Sequence, residues 1–196
     1  MLQASGTSNL KKVSLELGGK SPLIIFPDAD LDLAARLAHE GVFINQGQVC
    51  CAATRTFVHA DIYDKFVAKA VELAKKRVVG DPFDANTVQG AQIDGTQMER
   101  ILGYIQLGQK EGAKLECGGH RHGTRGYFVE PTVFTEVKDN MTIARQSIFK
   151  FSTIDEVIER ANATSYGLAA GVLTNDMSTA TVVAHALQVG VVWYAR

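Results

Sequence analysis

The sequence predicts an α/β fold, a mostly parallel sheet covered by helices, and three observations carry that reading. Short apolar runs alternate along the chain with stretches whose apolar residues recur at helical spacing. Breaker residues separate them at Gly18-Gly19, Gly47, Gly80-Asp81-Pro82 and Gly118-Gly119. With 196 residues, 46% apolar and 21% charged, the chain has material for one substantial core, in one or two compact domains.

The elements follow in order. Val13–Leu17 and Leu23–Phe26 read as short buried strands, with Pro22 limiting helix before the second. Asp28 and Asp30 are N-cap candidates for a helix from Leu31 to about Asn45, where Leu31, Ala34, Ala35, Ala38 and Val42 share a stripe. A strand at Thr56–His59 precedes a helix from Asp61 to about Arg77 with Tyr63, Phe66, Ala70 and Ala74 at core spacing. Thr96–Gly112 reads as a third helix, leading into a strand near Ala113–Glu116. Tyr127–Phe134 is β-rich, but Pro131 cannot donate to a ladder and predicts an edge or a break. Helix, strand, helix and strand then follow at about Thr153–Asn162, Leu168–Leu173, Ser178–Leu187 and Gly190–Trp193. Such alternation needs crossover helices, hence the parallel sheet.

Composition excludes several classes. Twenty basic and 21 acidic residues leave a formal charge of −1, so neither nucleic acid nor an acidic membrane is expected as a principal partner. Runs such as Leu23–Phe26 fall far short of the roughly 20 residues that cross a bilayer. Met1–Asn9 carries neither a secretory nor a transit-peptide pattern, so a cytoplasmic location is expected, with a mitochondrial one as the alternative. Three cysteines, two of them adjacent, make a poor disulfide framework. Cys117, His120 and His122 fit no standard zinc spacing, and no metal is expected.

The chemistry concentrates in two segments. Asn45-Gln46-Gly47-Gln48-Val49-Cys50-Cys51 places a thiol just after a helix, beside glycine and amide side chains. Cys50 reads either as a small buried hydrophobe or as a nucleophile, the latter needing a base or a dipole to raise its thiolate fraction. Adjacent cysteines on extended backbone point in opposite directions, so one of the pair faces a pocket at most. Glu16 interrupts the apolar string Val13–Leu17 and reads either as an exposed strand residue or as a partly desolvated general base beside Gly18-Gly19.

Those two segments resemble the aldehyde dehydrogenase superfamily. Glu16-Leu17-Gly18-Gly19-Lys20-Ser21-Pro22 resembles its glutamate motif and Asn45-Gln46-Gly47-Gln48-Val49-Cys50 its cysteine motif, with the two functional residues 34 positions apart. Similarity continues through Gly126-Tyr127-Phe128, Glu130-Pro131-Thr132 and Tyr166-Gly167-Leu168, and it is greatest to the tetrameric NAD-dependent enzymes for aliphatic and retinal aldehydes. The resemblance implies the fold of that catalytic domain, an aldehyde substrate, NAD or NADP as cofactor, no metal, and a homo-oligomer. It also implies that Cys50 attacks the carbonyl to give a thiohemiacetal, and that Glu16 activates the water that hydrolyses the thioester. The Cys50 backbone N–H would help hold the oxyanion, while Cys51 and Cys117 have no catalytic part. Leu17, Gly18, Gln97, Arg100 and Phe149 would contact the cofactor.

Residues 1–18 resemble the end of the family's coenzyme-binding domain and residues 19–196 an incomplete catalytic domain. Around Arg145-Gln146-Ser147-Ile148-Phe149-Lys150-Phe151 a short stretch of the family pattern is absent, which predicts the loss of most of a strand. Ser147 stands where a carboxylate would hold the nicotinamide ribose, a charged hydrogen bond worth about 1.5–3 kcal/mol. Because most of the family's coenzyme-binding domain would precede Met1, impaired oxidation by this chain alone is expected. A residual thiol esterase and a non-catalytic interaction protein are the alternatives.

Overall fold

The computed structural model describes all 196 residues. A short helix, α1 (Leu2–Gly6), is followed by β1 (Pro22–Ile25), α2 (Leu31–Phe43), β2 (Arg55–His59), α3 (Tyr63–Lys76), α4 (Gly95–Lys110), β3 (Lys114–Cys117), β4 (Val133–Thr135), β5 (Ser147–Phe151), α5 (Ile154–Asn162), β6 (Ala169–Leu173), α6 (Met177–Ala186) and β7 (Val191–Ala195). Five strands form a wholly parallel sheet in the order β5-β2-β1-β6-β7, and β3 pairs antiparallel with β4 in a separate ribbon.

Helices α2, α4 and α5 start where a short polar side chain satisfies a free N–H. Asp30 accepts from Leu33 N at 2.8 Å, Asp94 from Gln97 N at 2.7 Å and Thr153 from Glu156 N at 3.2 Å. Asp28, the other N-cap candidate, instead accepts from Thr174 Oγ1 and from the Asn175 and Asp176 amides, tying the β6–α6 turn to the end of β1.

The sheet divides the core by strand alternation. Ile24, Phe57, Phe149 and Val172 face α5 and α6, where Val157, Ala161, Val183 and Leu187 are buried. Leu23, Ile25, Val58 and Leu173 face the small side chains of α2 (Ala34, Ala35, Ala38) and Phe66 of α3. Runs buried on both faces are what a parallel sheet with crossover helices requires.

Two strand expectations are corrected. Val13–Leu17 forms no strand: the two neighbours of β1 are β2 and β6, so this segment has no ladder partner, and Leu15 and Leu17 are exposed. No residue before Ser21 is buried. Conversely, the strand whose loss was expected is present as β5. Ser147, Phe149 and Phe151 point inward, and the Phe149 ring stacks on Phe57 at 5.1 Å between centroids. Arg160 covers both rings at 5.3 and 5.5 Å. The chain closes the sheet edge from the residues it retains. At the opposite edge, β7 leaves Val191, Trp193 and Tyr194 exposed.

Candidate active site

α2 does not run on to Asn45. It ends at Phe43, and the chain leaves it through a turn in which Asn45 (φ 49°), Gln46 (φ 57°) and Gly47 (φ 74°) are all left-handed. A left-handed conformation costs a side-chain-bearing residue roughly 1–2 kcal/mol, so the turn depends on its neighbours. The Asn45 amide donates to Gln48 O at 3.1 Å, Ile93 N–H donates to Gln48 Oε1 at 3.0 Å, and the Gln92 amide donates to Gln46 O at 3.5 Å. The amide residues of the cysteine motif thus clamp the loop to residues 92–93. A further turn, closed by Ala52 N–H donating to Val49 O at 3.1 Å, carries Cys50 at an exposed position. The Cys50 N–H donates to no protein acceptor and is free to meet an oxyanion.

The glutamate segment reaches the same place. A Cβ at Gly19 would stand 2.8 Å from the Cys50 carbonyl oxygen and 3.2 Å from Leu168 Cβ, so only the bare glycine backbone fits between them. Glu16 lies three residues earlier, a span of at most about 11 Å of extended chain. It is exposed, not set in the partly desolvated floor that the sequence suggests, because its neighbourhood at Gly18 is open space. Gly19→Ala is expected to push the two segments apart. Cys50 acylation should slow about 10-fold or more and stability fall by about 1–3 kcal/mol, read by burst kinetics and urea unfolding.

Arg55, which the sequence reading passed over, anchors this arrangement from below. Its side chain is buried and donates to Lys20 O at 2.9 Å, Arg160 O at 3.1 Å and Ala161 O at 2.7 Å. One guanidinium thereby joins the glutamate segment to the carbonyl end of α5, where a cation also suits the helix dipole. Burial lowers its pKa, with Asp139 opposing the shift. The signal in the sequence was a lone charge opening an apolar strand.

The remaining candidates separate. Gln97 and Arg100 stand on α4 and line a cavity beside the cysteine loop, while Leu17 and Gly18 are exposed on the glutamate segment. Phe149 does not join them: it is 2% exposed in the sheet core, and its ring offers no face to a nicotinamide. Ser147 is also buried, its hydroxyl donating to Ile143 O at 3.0 Å, so it replaces no ribose ligand. Of the cofactor candidates, Leu17, Gly18, Gln97 and Arg100 are therefore the ones left open to a ligand, Gln97 and Arg100 on the cavity and Leu17 and Gly18 at the surface. Cys51 is half-buried. Cys117 lies 3.8 Å from Pro131 O, and burial pushes its thiol pKa up. His122 pairs with Glu130 at 2.6 Å.

A glutamate motif and a cysteine motif meeting around one glycine on a parallel sheet can be compared with known proteins. The model of the aldehyde dehydrogenase family matches residues 1–196. The chain belongs to the aldehyde dehydrogenase family. It is 58% identical over 197 residues to the mitochondrial aldehyde dehydrogenase of Rattus norvegicus, covering 97% of this chain and 38% of that protein. It is 58% identical over 198 residues to the rat cytosolic aldehyde dehydrogenase 1, covering 97% of this chain and 40% of that one. Among solved structures, the NAD+ complex of aldehyde dehydrogenase from Bacillus cereus superposes with a TM-score of 0.93 at 44% identity, over 98% of this chain and 40% of that one. The chain therefore spans about 40% of the length of these relatives.

Proposed function

We propose that this chain carries the acyl-transfer machinery of an NAD(P)-dependent aldehyde dehydrogenase acting on a small-molecule aldehyde, with Cys50 as nucleophile and Glu16 as general base. Residues 1–18 are then the end of a coenzyme-binding domain and residues 19–196 the catalytic domain, a division favoured by the absence of buried residues before Ser21. The reading is supported by the close approach of the Gly19 backbone to the Cys50 carbonyl, where an added Cβ would stand 2.8 Å from the oxygen, which brings the glutamate and cysteine segments side by side.

The roles follow from the chemistry of each group. The Cys50 thiolate adds to the carbonyl carbon, forming a C–S bond as the π electrons move to oxygen, and the free Cys50 N–H stabilises that oxyanion. The chemistry a bound NAD(P) supplies is hydride acceptance, which takes the adduct to the thioester level. Glu16 removes a proton from water as its oxygen attacks the thioester carbon, and the C–S bond breaks to return the Cys50 thiolate and release the carboxylic acid. Gln97 and Arg100 orient the ribose side, and Leu17 and Gly18 leave backbone room for the nicotinamide ring.

An activated ester such as p-nitrophenyl acetate tests the acyl-transfer half without a hydride step. Glu16→Gln is expected to keep a burst of p-nitrophenol from Cys50 acylation while steady-state turnover falls by about 10²–10⁴-fold. Equal loss of burst and turnover would contradict the assignment of Glu16 to deacylation. Reduced-cofactor absorbance with aldehyde and NAD reports whether the chain oxidises unaided.

A further inference from the structure

Arg77, the residue that ends α3, has no part in the proposed acyl transfer, yet its side chain is 5% exposed and reaches both α2 and the segment before α4. Nε donates to Gln89 Oε1 at 3.0 Å, one terminal nitrogen donates to Phe43 O at 3.2 Å, and the other lies 3.1 Å from His39 Nε2. Burying a guanidinium this far is costly unless its donors are matched, and these three acceptors match them.

Two of the acceptors bracket the cysteine loop. Phe43 is the last residue of α2, and its carbonyl belongs to the final turn, whose oxygens lack intrahelical partners and favour a cation. Gln89 opens the strip 89–93 on which the loop rests: Gly90 N–H donates to the Gln46 amide oxygen at 2.9 Å, the Gln92 amide to Gln46 O at 3.5 Å, and Ile93 N–H to Gln48 Oε1 at 3.0 Å. Gln89 is itself 3% exposed and held from behind, its amide donating to Val129 O at 3.0 Å. One rigid fork therefore sets the start of the loop relative to its support.

The His39 contact fixes a protonation state. A guanidinium has only N–H donors, so His39 Nε2 accepts and the imidazole is neutral, with its proton on Nδ1. A second proton would set N–H against N–H and one cation against another. Burial and the Arg77 charge lower the His39 pKa accordingly, while Glu40, the other charged group facing it, pulls the opposite way from an exposed position 3.7 Å from Arg77. The Phe43 ring lies 5.0 Å from the imidazole and 5.9 Å from the guanidinium, so a shift of either moves the residue from which the loop departs.

We propose that Arg77 is the positioning residue of the cysteine loop: it locks Phe43 O and Gln89 in one fork while His39 is neutral, and releases them when His39 takes up a proton. The catalytic consequence rests on the reading of Cys50 as nucleophile and deepens it, because acylation acquires a titrating group besides the thiol.

Burst kinetics with p-nitrophenyl acetate across pH, paired with amide hydrogen exchange of residues 44–49, test this. Arg77→Lys, whose single ammonium cannot span both acceptors, is expected to slow acylation about 10-fold or more. Loop exchange should rise about 10-fold, with the far-UV circular dichroism spectrum retained. Below the ordinary imidazole pKa of 6.5, log rate against pH in the parent should approach a slope of about 2, one proton for the thiolate and one for His39. His39→Gln keeps an acceptor for Arg77 that does not titrate, so its slope should stay at about 1. Unchanged acylation or unchanged loop exchange in Arg77→Lys, or identical pH slopes in the parent and His39→Gln, would each overturn it. Should Arg77→Lys fail to fold, the His39→Gln profile decides. A parent with no burst at all would defeat the nucleophile reading instead, and loop exchange across pH in the parent and His39→Gln would still decide the role of Arg77.

Discussion

Cys50→Ala is expected to lower p-nitrophenyl acetate hydrolysis by about 10³-fold or more, with far-UV circular dichroism and urea midpoint close to the parent's. The side chain is exposed and its loop is held by Asn45, Gln48 and Gln92, so removing the sulfur leaves the fold's contacts in place. Cys51→Ala is the matched control. Its sulfur is half-buried on the same turn, and its removal should change the rate less than about 3-fold, at the small stability cost usual for a minor core change. A Cys50→Ala chain that keeps its rate would place ester hydrolysis elsewhere on the surface.

Arg55→Ala is expected to be the most damaging change away from the thiol. It strips donors from Lys20 O, Arg160 O and Ala161 O in a buried setting and leaves space beneath the glutamate segment. Charged hydrogen bonds contribute about 1.5–3 kcal/mol each, partly recovered here by water, so a loss of about 2–4 kcal/mol is expected in urea unfolding. Arg55→Lys should restore only part of this, because a single ammonium cannot reach three carbonyls on two elements. Since Lys20 belongs to the same segment as Glu16, the folded Arg55→Lys chain should also show a lower deacylation rate than acylation rate.

Most of the sheet was legible in the sequence because its strands are short apolar runs between amphipathic helices. That pattern determines burial on both faces whatever the details of the turns. Two misreadings share one physical cause. Val13–Leu17 has the alternation of a strand and Ser147–Phe151 looked like the remains of one, yet a strand exists only where a neighbour offers its ladder. β2 offers its free edge to Ser147–Phe151, and nothing offers one to Val13–Leu17. Phe149 followed from that error. Once β5 forms, the ring's alternation sends it into the core against Phe57, away from any cofactor.

In the site, the residue types of the two motifs were readable, and so was the helix that delivers the cysteine loop. The three consecutive left-handed residues were not, since the turn is held by bonds from Gln92 to Gln46 O and from Ile93 N–H to the Gln48 side chain, remote in sequence, as well as by the local Asn45–Gln48 bond. The carbonyl-binding role of Arg55 was hidden for the same reason: its partners lie at Lys20 and at the far end of α5.

In the proposed mechanism Cys50 and Glu16 serve one acyl group on one surface. Peptide mass mapping of the chain, acid-quenched after brief exposure to p-nitrophenyl acetate, tests it most directly. One acetyl group per chain is expected, carried on Cys50, transient in the parent and persistent in Glu16→Gln. Acetyl on Cys51 or Cys117, or a Cys50 adduct cleared equally fast from both proteins, would contradict it.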